Sequence, residues 1–248
     1  MKCLILAAGY ATRLYPLTEN FPKPLLEVGK KTIVDYLVDD LVSNSDIDEF
    51  VIVTNHKFYS HFINWKNHKL KTRDYKISVV DDNTSTNETR LGAVKDIKLG
   101  IDTLHIDDDL LVMAGDNILD FSLKDFVDFS LKKNTPCVMC HEENELVKKQ
   151  KTAIITIDDN NLITSYEEKP KEPKGNLAVP PFYFYKASDL NRIDEALSEG
   201  CNADAPGSFA AWLSGKEKMH AYIMDGKRYD IGDLKSYEYV KSVFEGQN

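Results

Sequence analysis

Residues 1–31, MKCLILAAGYATRLYPLTENFPKPLLEVGKK, decide how the rest of the chain is read. Lys2 to Ala8 is a short apolar run without helical spacing, the pattern of a strand buried on both faces. Gly9 ends it, and Tyr10 to Thr18 follow as a tight loop with an arginine, hydroxyls and a proline. A strand that runs straight into a small-residue turn leaves backbone N–H groups in need of an anion or water, which is how an α/β sheet receives a polyphosphate. Arg13, shortly after Gly9, offers a planar fork that suits phosphate oxygens. Lys23 stands between Pro22 and Pro24, whose restricted φ lowers the entropy lost in aiming the amine. Taken singly, each cation is an ordinary solvated surface charge. Together they need one explanation, and the spacing is neither a dinucleotide fingerprint nor a Walker A sequence.

Outward from this stretch, the pattern alternates. Thr32 to Val42 carries Ile33, Leu37 and Leu41 at helical spacing, and FVIVT (Phe50 to Thr54) is a second strand, so a β-α-β order begins. Asn55, His56 and Lys57 fall just past that strand's carboxyl end, where open α/β sheets place ligands. His56 is open between a packing or capping role and substrate contact. Tyr59 to His68 reads as a helix, Tyr75 to Val80 as a strand, and Asp81 to Arg90 as a polar loop. Asp109 to Ala114 is another buried strand, running into Gly115, Asp116 and Asn117. A carboxylate there is a poor core residue; it suits either an Asx turn or Mg²⁺, a hard cation that prefers oxygen. Phe121 to Asn134 suits a helix with Ser122 as N-cap. Beyond it come a strand (Cys137 to Cys140), a hairpin from Lys151 to Glu168, helices over Leu190 to Leu197 and up to Leu213 with Ser208 as a cap, a strand at His220 to Met224, and a closing helix from Leu234 to Phe244.

Composition narrows the partners. The chain has 248 residues, 42% hydrophobic and 29% charged, enough for one large globular domain with a sizeable core. Its net charge of −9, from 31 Lys+Arg against 40 Asp+Glu, gives no reason to bind a nucleic-acid backbone over a wide surface. An anionic substrate must then be held by a few local cations and a divalent metal. No apolar run of roughly 18 residues and no leader pattern is present, so no membrane span is expected and the cytoplasm is the default location. Cys3, Cys137, Cys140 and Cys201 read as free thiols, because the CxxC gap lies in an apolar strand without a matching pair.

The run LAAGYATRLYPLTENFPKPLLEVGKK resembles the signature of the sugar-phosphate nucleotidyltransferases, which join a hexose 1-phosphate to a nucleoside triphosphate and release pyrophosphate. The resemblance implies a Rossmann-like three-layer α/β/α sandwich with a mixed, mainly parallel central sheet and a small β-hairpin sugar-side lobe. It places Leu6, Ala8 and Gly9 against base and ribose, Arg13 at the β and γ phosphates, and Lys23 as the catalytic lysine at the α-phosphate. Tyr10 departs from it, standing where many relatives have a small or polar residue, and implies a stiffer loop. Asn83, Glu88 and Gly92 fall in the segment that faces the base. VMAGDNILD is similar to the family's metal-binding strand end, which favours Asp116 as a Mg²⁺ ligand, with Asn117 on the acceptor side. EEKP assigns Glu168 to sugar hydroxyls and Lys169 to the acceptor phosphate, with Asn176 nearby. RYDIG resembles a W-x-D-x-G motif with its aromatic one place nearer, making Asp230 the second metal ligand.

Across the chain the resemblance implies one nucleotidyltransferase domain, residues 1–140 mainly for the nucleotide and 141–248 mainly for the acceptor and closing helix. No hexapeptide repeat marks a β-helix acyltransferase domain, so a monomer or homodimer is expected. The leading expectation is transfer from a pyrimidine NTP to a hexose 1-phosphate. Pro180 and Pro181 replace a glycine-containing pair of the family, and proline has no N–H to offer a sugar hydroxyl. That replacement keeps open a CTP-dependent enzyme acting on a non-hexose phosphate such as phosphocholine. A non-catalytic nucleotide-binding regulator is the alternative from another class, and retention of Lys23, Asp116 and Asp230 together speaks against it.

Overall fold

A computed structural model of the chain describes residues 1–44, 46–70 and 75–245. In chain order its first half runs β1 (Lys2–Leu6), β2 (Glu27–Val28), β3 (Lys31–Thr32), α1 (Ile33–Asn44), β4 (Glu49–Thr54), α2 (Tyr59–Lys69), β5 (Lys76–Asp81), α3 (Ala93–Leu104), β6 (Leu110–Ala114), β7 (Asn117–Leu119) and α4 (Lys124–Lys133). The remainder runs β8 (Cys137–Glu142), α5 (Leu146–Lys149), β9 (Ala153–Ile157), β10 (Ile163–Glu168), β11 (Leu177–Val179), β12 (Phe182–Tyr185), α6 (Ala187–Leu190), α7 (Ile193–Ser198), α8 (Gly207–Ser214), β13 (His220–Ile223), β14 (Arg228–Asp230) and α9 (Leu234–Glu245). This is the expected class, a Rossmann-like α/β fold with a mixed central sheet and flanking helices.

Contacts divide the chain into two compact units, the first formed by residues 1–91, 114–124 and 226–248, the second by 92–113 and 125–225. In the first, β4 lies parallel to both β1 and β5, with Leu4 opposite Val51 and Val51 opposite Ser78. β4 is buried along its whole length, which accounts for its continuous apolar run. Its one charged residue, Glu49, is satisfied where it stands. Burial works against its charge, but Lys2 (2.7 Å), Ser78 (2.6 Å) and Lys76 (3.0 Å) hold its carboxyl below the usual range. A second core in this unit joins Leu14, Val28, Ile33, Ile118, Ile231, Tyr237, Val240 and Phe244. It fixes the N-terminal loop, α1, β7 and α9 around the segments that carry Asp116 and Asp230.

In the second unit the strands follow the order β10, β9, β11, β8, β12, β6, with every neighbour antiparallel, and β13 adds to β8 in parallel. The hairpin expected from Lys151 to Glu168 is β9 and β10. The helix expected over Leu190 to Leu197 is found as α7, which begins at Ile193, after a separate short helix, α6, that ends at Leu190. Ser208 does not cap α8: it lies inside the first turn, buried, and its hydroxyl has no partner. Ser122 does act as expected, its hydroxyl accepting from the Lys124 N–H at 3.1 Å. Cys3, Cys137 and Cys140 are buried free thiols and Cys201 is half-buried; burial alone pushes the Cys140 thiol up to about 12. Among the described residues no helix is long and apolar enough to cross a membrane.

Gly92 has a backbone reason to be glycine. Its φ is 97°, and a Cβ there would stand 2.7 Å from the Ala203 carbonyl oxygen, in the loop that leads to α8. The same loop carbonyl accepts the Val94 N–H at 2.9 Å, so the backbone at Ala203 cannot withdraw without losing a hydrogen bond. Gly92→Ala is expected to cost on the order of 3 kcal/mol, read as a lowered Tm. An unchanged Tm would show that the α3 entrance relaxes freely.

Candidate active site

The first unit gathers Arg13, Lys23, Asp116 and Asp230. Lys23 opens a short 3-10 turn, Lys23–Leu25, with Pro22 before it and Pro24 inside it, both buried. The amine is thereby aimed inward. Its Nζ donates to Asp116 Oδ2 at 2.6 Å and to the Ile231 carbonyl at 3.0 Å. Asp116 sits in the turn between β6 and β7, where Gly115 donates its N–H to the Leu6 carbonyl at 3.0 Å. A Cβ on Gly115 would approach Ile5 at 3.0 Å and Pro24 at 3.3 Å, so the small residue lets this turn lie against β1 and the lysine loop.

Asp230 comes to the same place through a short antiparallel pair. β14 lies beside β7 with Asp230 opposite Asn117, and the Ile231 N–H donates to the Asp116 carbonyl at 3.2 Å. Neither carboxylate reaches the other by hydrogen bond, yet Asp230 feels the charge of Asp116. Burial first, and then the Asp116 charge, push the Asp230 carboxyl above its usual range, while Arg228, Lys23 and Arg13 oppose the rise. Arg13, exposed on its short helix, lies with its guanidinium 3.6 Å from the Cβ position of Gly232. A cavity of ≈ 100 Å³ is lined by Leu6, Ala7, Gly9, Ala11, Lys23, Pro24, Ala114 and Asp116. A larger one of ≈ 380 Å³, walled by Tyr36, Asp40, Phe121 and Phe244 among others, contains none of Lys23, Asp116 and Asp230; Lys23 and Asp116 line the smaller.

The loop after β1 is pinned on its other side. Tyr10 is buried, and its hydroxyl meets Thr84 Oγ1 at 3.2 Å. Since Thr84 Oγ1 donates to Asp82 Oδ2 (3.0 Å), the tyrosine is the donor in that contact. Asn55, fully buried, donates to the Ala8 carbonyl at 2.9 Å and caps the following turn by accepting from Phe58 N–H at 3.0 Å. His56 pairs with Asp81 at 2.6 Å. Asn83 adopts φ 60° in an Asx turn closed by Asp81, and it and Glu88 are exposed. The carbonyls of Leu6 and Ala8 are therefore engaged inside the protein, which leaves Gly9 as the member of the expected set that lines the cavity without that constraint.

Glu168, Lys169, Asn176 and Gly92 all belong to the second unit. Glu168 ends β10 half-buried, and burial pushes its carboxyl up against the opposing pull of Lys169. Its Oε2 and the Tyr183 and Tyr166 hydroxyls all stand within 3.3 Å of the Cβ position of Gly207. Lys169 has φ 48° and is exposed. The Asn176 carbonyl accepts from Glu143 N–H at 2.7 Å. Pro180 accepts from Phe182 N–H at 2.7 Å, so the double proline forms a tight turn between β11 and β12. Asn117, expected on the acceptor side, is fully buried in the first unit, with its amide committed to Asp116 and Arg228. Arg228 was not singled out in the sequence; one arginine in the polar run GKRYD carries no spacing signal.

Two carboxylates of this kind fit a Mg²⁺ ion: both offer hard oxygens, and Asp116 keeps lone pairs beyond the donors it accepts. Among the described residues no group of three or more His, Cys, Asp or Glu could hold a metal, so the remaining positions would fall to phosphate and water oxygens.

A model of the family described as nucleotidyl transferase matches residues 2–245. The chain is 25% identical over 244 residues to a glucose-1-phosphate adenylyltransferase of Fervidobacterium nodosum, covering 94% of this chain but only 59% of that protein. It is 27% identical over 247 residues to the UTP–glucose-1-phosphate uridylyltransferase AglF of Haloferax volcanii, covering 94% and 91%. A crystal structure of UDP-glucose pyrophosphorylase complexed with UDP-glucose superposes with a TM-score of 0.83 over 100% of this chain and 99% of that one. At 23% identity this last likeness is one of fold.

Proposed function

Because the chain belongs to the nucleotidyl transferase family, we propose that it joins an NTP to a sugar 1-phosphate, giving an NDP-sugar and pyrophosphate. The observation that carries this reading is the convergence of Lys23 on Asp116, with Asp230 beside them and Arg13 over Gly232. A phosphate oxygen of the acceptor attacks the α-phosphorus of the NTP. The bond from that phosphorus to the bridging oxygen breaks, and the electron pair leaves with pyrophosphate. The nucleophile is already ionised, so no general base is required, and the barrier lies in repulsion between two anions and in charge developing at the α-phosphate.

Lys23 supplies a directed positive charge at that phosphate, and Arg13 neutralises the leaving phosphates. Asp116 and Asp230 would hold Mg²⁺, which screens phosphate charge and orients the leaving group. On the acceptor side, Glu168 takes sugar hydroxyls and Lys169 the phosphate, with Asn176 beside them. Leu6, Ala8, Gly9, Asn83, Glu88 and Gly92 form the nucleotide side. Within this class we favour a pyrimidine NTP and a hexose 1-phosphate. The Pro180–Pro181 turn favours testing a phosphocholine acceptor with CTP alongside, because that segment offers fewer N–H donors.

The deciding experiment is a matrix of ATP, GTP, CTP, UTP and dTTP against glucose, galactose, mannose and N-acetylglucosamine 1-phosphates and phosphocholine, read by pyrophosphate release. Pyrophosphate is expected with a pyrimidine NTP and one hexose 1-phosphate, and only with Mg²⁺ present. Preference for a purine NTP, or for phosphocholine over every sugar, overturns the finer reading. Full turnover in excess EDTA removes the metal from it.

A further inference from the structure

The paired carboxylates have a third companion. Arg228, on β14 two positions before Asp230, is largely buried with 20% of its side chain exposed. Its Nη1 donates to Asn117 Oδ1 at 2.6 Å and stands 3.8 Å from Asp230 Oδ1. On the other side of the same amide, Asn117 Nδ2 donates to Asp116 Oδ1 at 2.7 Å. This chain of contacts has only one consistent direction. A guanidinium can only donate and a carboxylate can only accept, so the amide between them must turn its oxygen to Arg228 and its nitrogen to Asp116. Asn117 has no exposed surface, which denies it water as a substitute partner. Asp116 is thus gripped at both oxygens, Oδ1 by Asn117 and Oδ2 by Lys23 at 2.6 Å.

We propose that Arg228 is a positioning residue of this centre: through Asn117 it fixes the carboxylate plane of Asp116, and its charge offsets part of the negative charge that Asp116 and Asp230 bring together. The proposal rests on reading Asp116 and Asp230 as the metal-holding pair. The two roles act in opposite directions on a bound cation. The guanidinium charge repels a cation at the carboxylates, whereas the fixed carboxylate plane serves the transfer step. Removing Arg228 must therefore tighten cation binding while slowing the reaction, a combination that loss of packing does not give.

The test uses the intact chain. Binding of Mn²⁺ alone is measured from the free-ion signal in electron paramagnetic resonance, and kcat is measured separately with Mg²⁺ and the best substrate pair. For Arg228→Met we expect Mn²⁺ to bind severalfold more tightly and kcat to fall about tenfold. Asn117→Ala, which removes the relay without changing charge, is expected to lower kcat similarly without tightening Mn²⁺. Arg228→Lys, which keeps the charge and a donor, is expected to return both readings toward wild type. Weaker or unchanged Mn²⁺ binding in Arg228→Met, or an unchanged kcat, overturns the proposal. If Arg228→Met does not fold, the other two variants decide it, since an unaltered kcat in Asn117→Ala, or an Arg228→Lys protein with impaired kcat and weaker Mn²⁺ binding, overturns it equally. Failure of the underlying metal reading shows earlier and differently, as a wild-type protein that binds no Mn²⁺.

Discussion

Lys23→Ala is expected to lower kcat by about a hundredfold or more, with a much smaller change in the KM for either substrate. The reason lies in where the amine is held. Two buried prolines and two hydrogen bonds fix it before substrate arrives, so its charge acts on the transition state without a further cost of reorganisation. Preorganised donors of this sort are commonly worth roughly 3 to 4 kcal/mol to the reacting state. Lys23→Arg is expected to recover little, because the planar fork cannot occupy the same point between Asp116 Oδ2 and the Ile231 carbonyl. Steady-state kinetics decide the matter. An effect confined to KM would make Lys23 a plain binding residue.

Asp230→Asn is expected to reduce activity at least about a hundredfold, as one of the two carboxylates proposed to hold the metal is lost, and at the same time to raise Tm when measured in a chelator. The second effect follows from the opposed charges. Although 54% of its side chain is exposed, desolvation around its carboxyl and the neighbouring Asp116 both disfavour the Asp230 carboxylate, so an uncharged amide of the same shape relieves that repulsion. Function and stability thus pull apart at this position, as they do at sites built for charged ligands. Scanning calorimetry on both proteins provides the check. A lower Tm in Asp230→Asn would show that Arg228 more than compensates the carboxylate in the folded state.

Much of the fold was legible because the central strands advertise themselves. CLIL, FVIVT and LLVMA are apolar without helical period, and each is found within a strand buried on both faces. The strands that complete the carboxylate centre are another matter. β7 and β14 are three residues each, too short for alternation to be visible, and their pairing depends on residues far apart in sequence. That is why Asp116 and Asp230 were named singly from motifs, while their meeting, the Lys23 ion pair and the Arg228–Asn117 relay came only from the structure. Tyr10 was read as a stiffening residue in its loop; what stiffens it is a hydroxyl contact to Thr84, on a turn that no local spacing connects to it. Asn117 shows the reverse limit. A polar residue next to a motif aspartate invites a ligand-binding role, but its burial is set by β14, which the local sequence does not announce.

The β7–β14 pairing also sets a timetable. The first unit is stitched from three stretches of chain, of which residues 226–248 come last, whereas the second unit is complete once residue 225 has been made. During synthesis from the N-terminus, Glu168 and Lys169 can be housed in a finished unit while Asp116 still waits for its companion. A ribosome-bound chain stalled before Arg228 would carry Lys23 and Asp116 without Asp230 beside them. Assembly of the carboxylate pair is thereby deferred until β14 has been made and can lie beside β7.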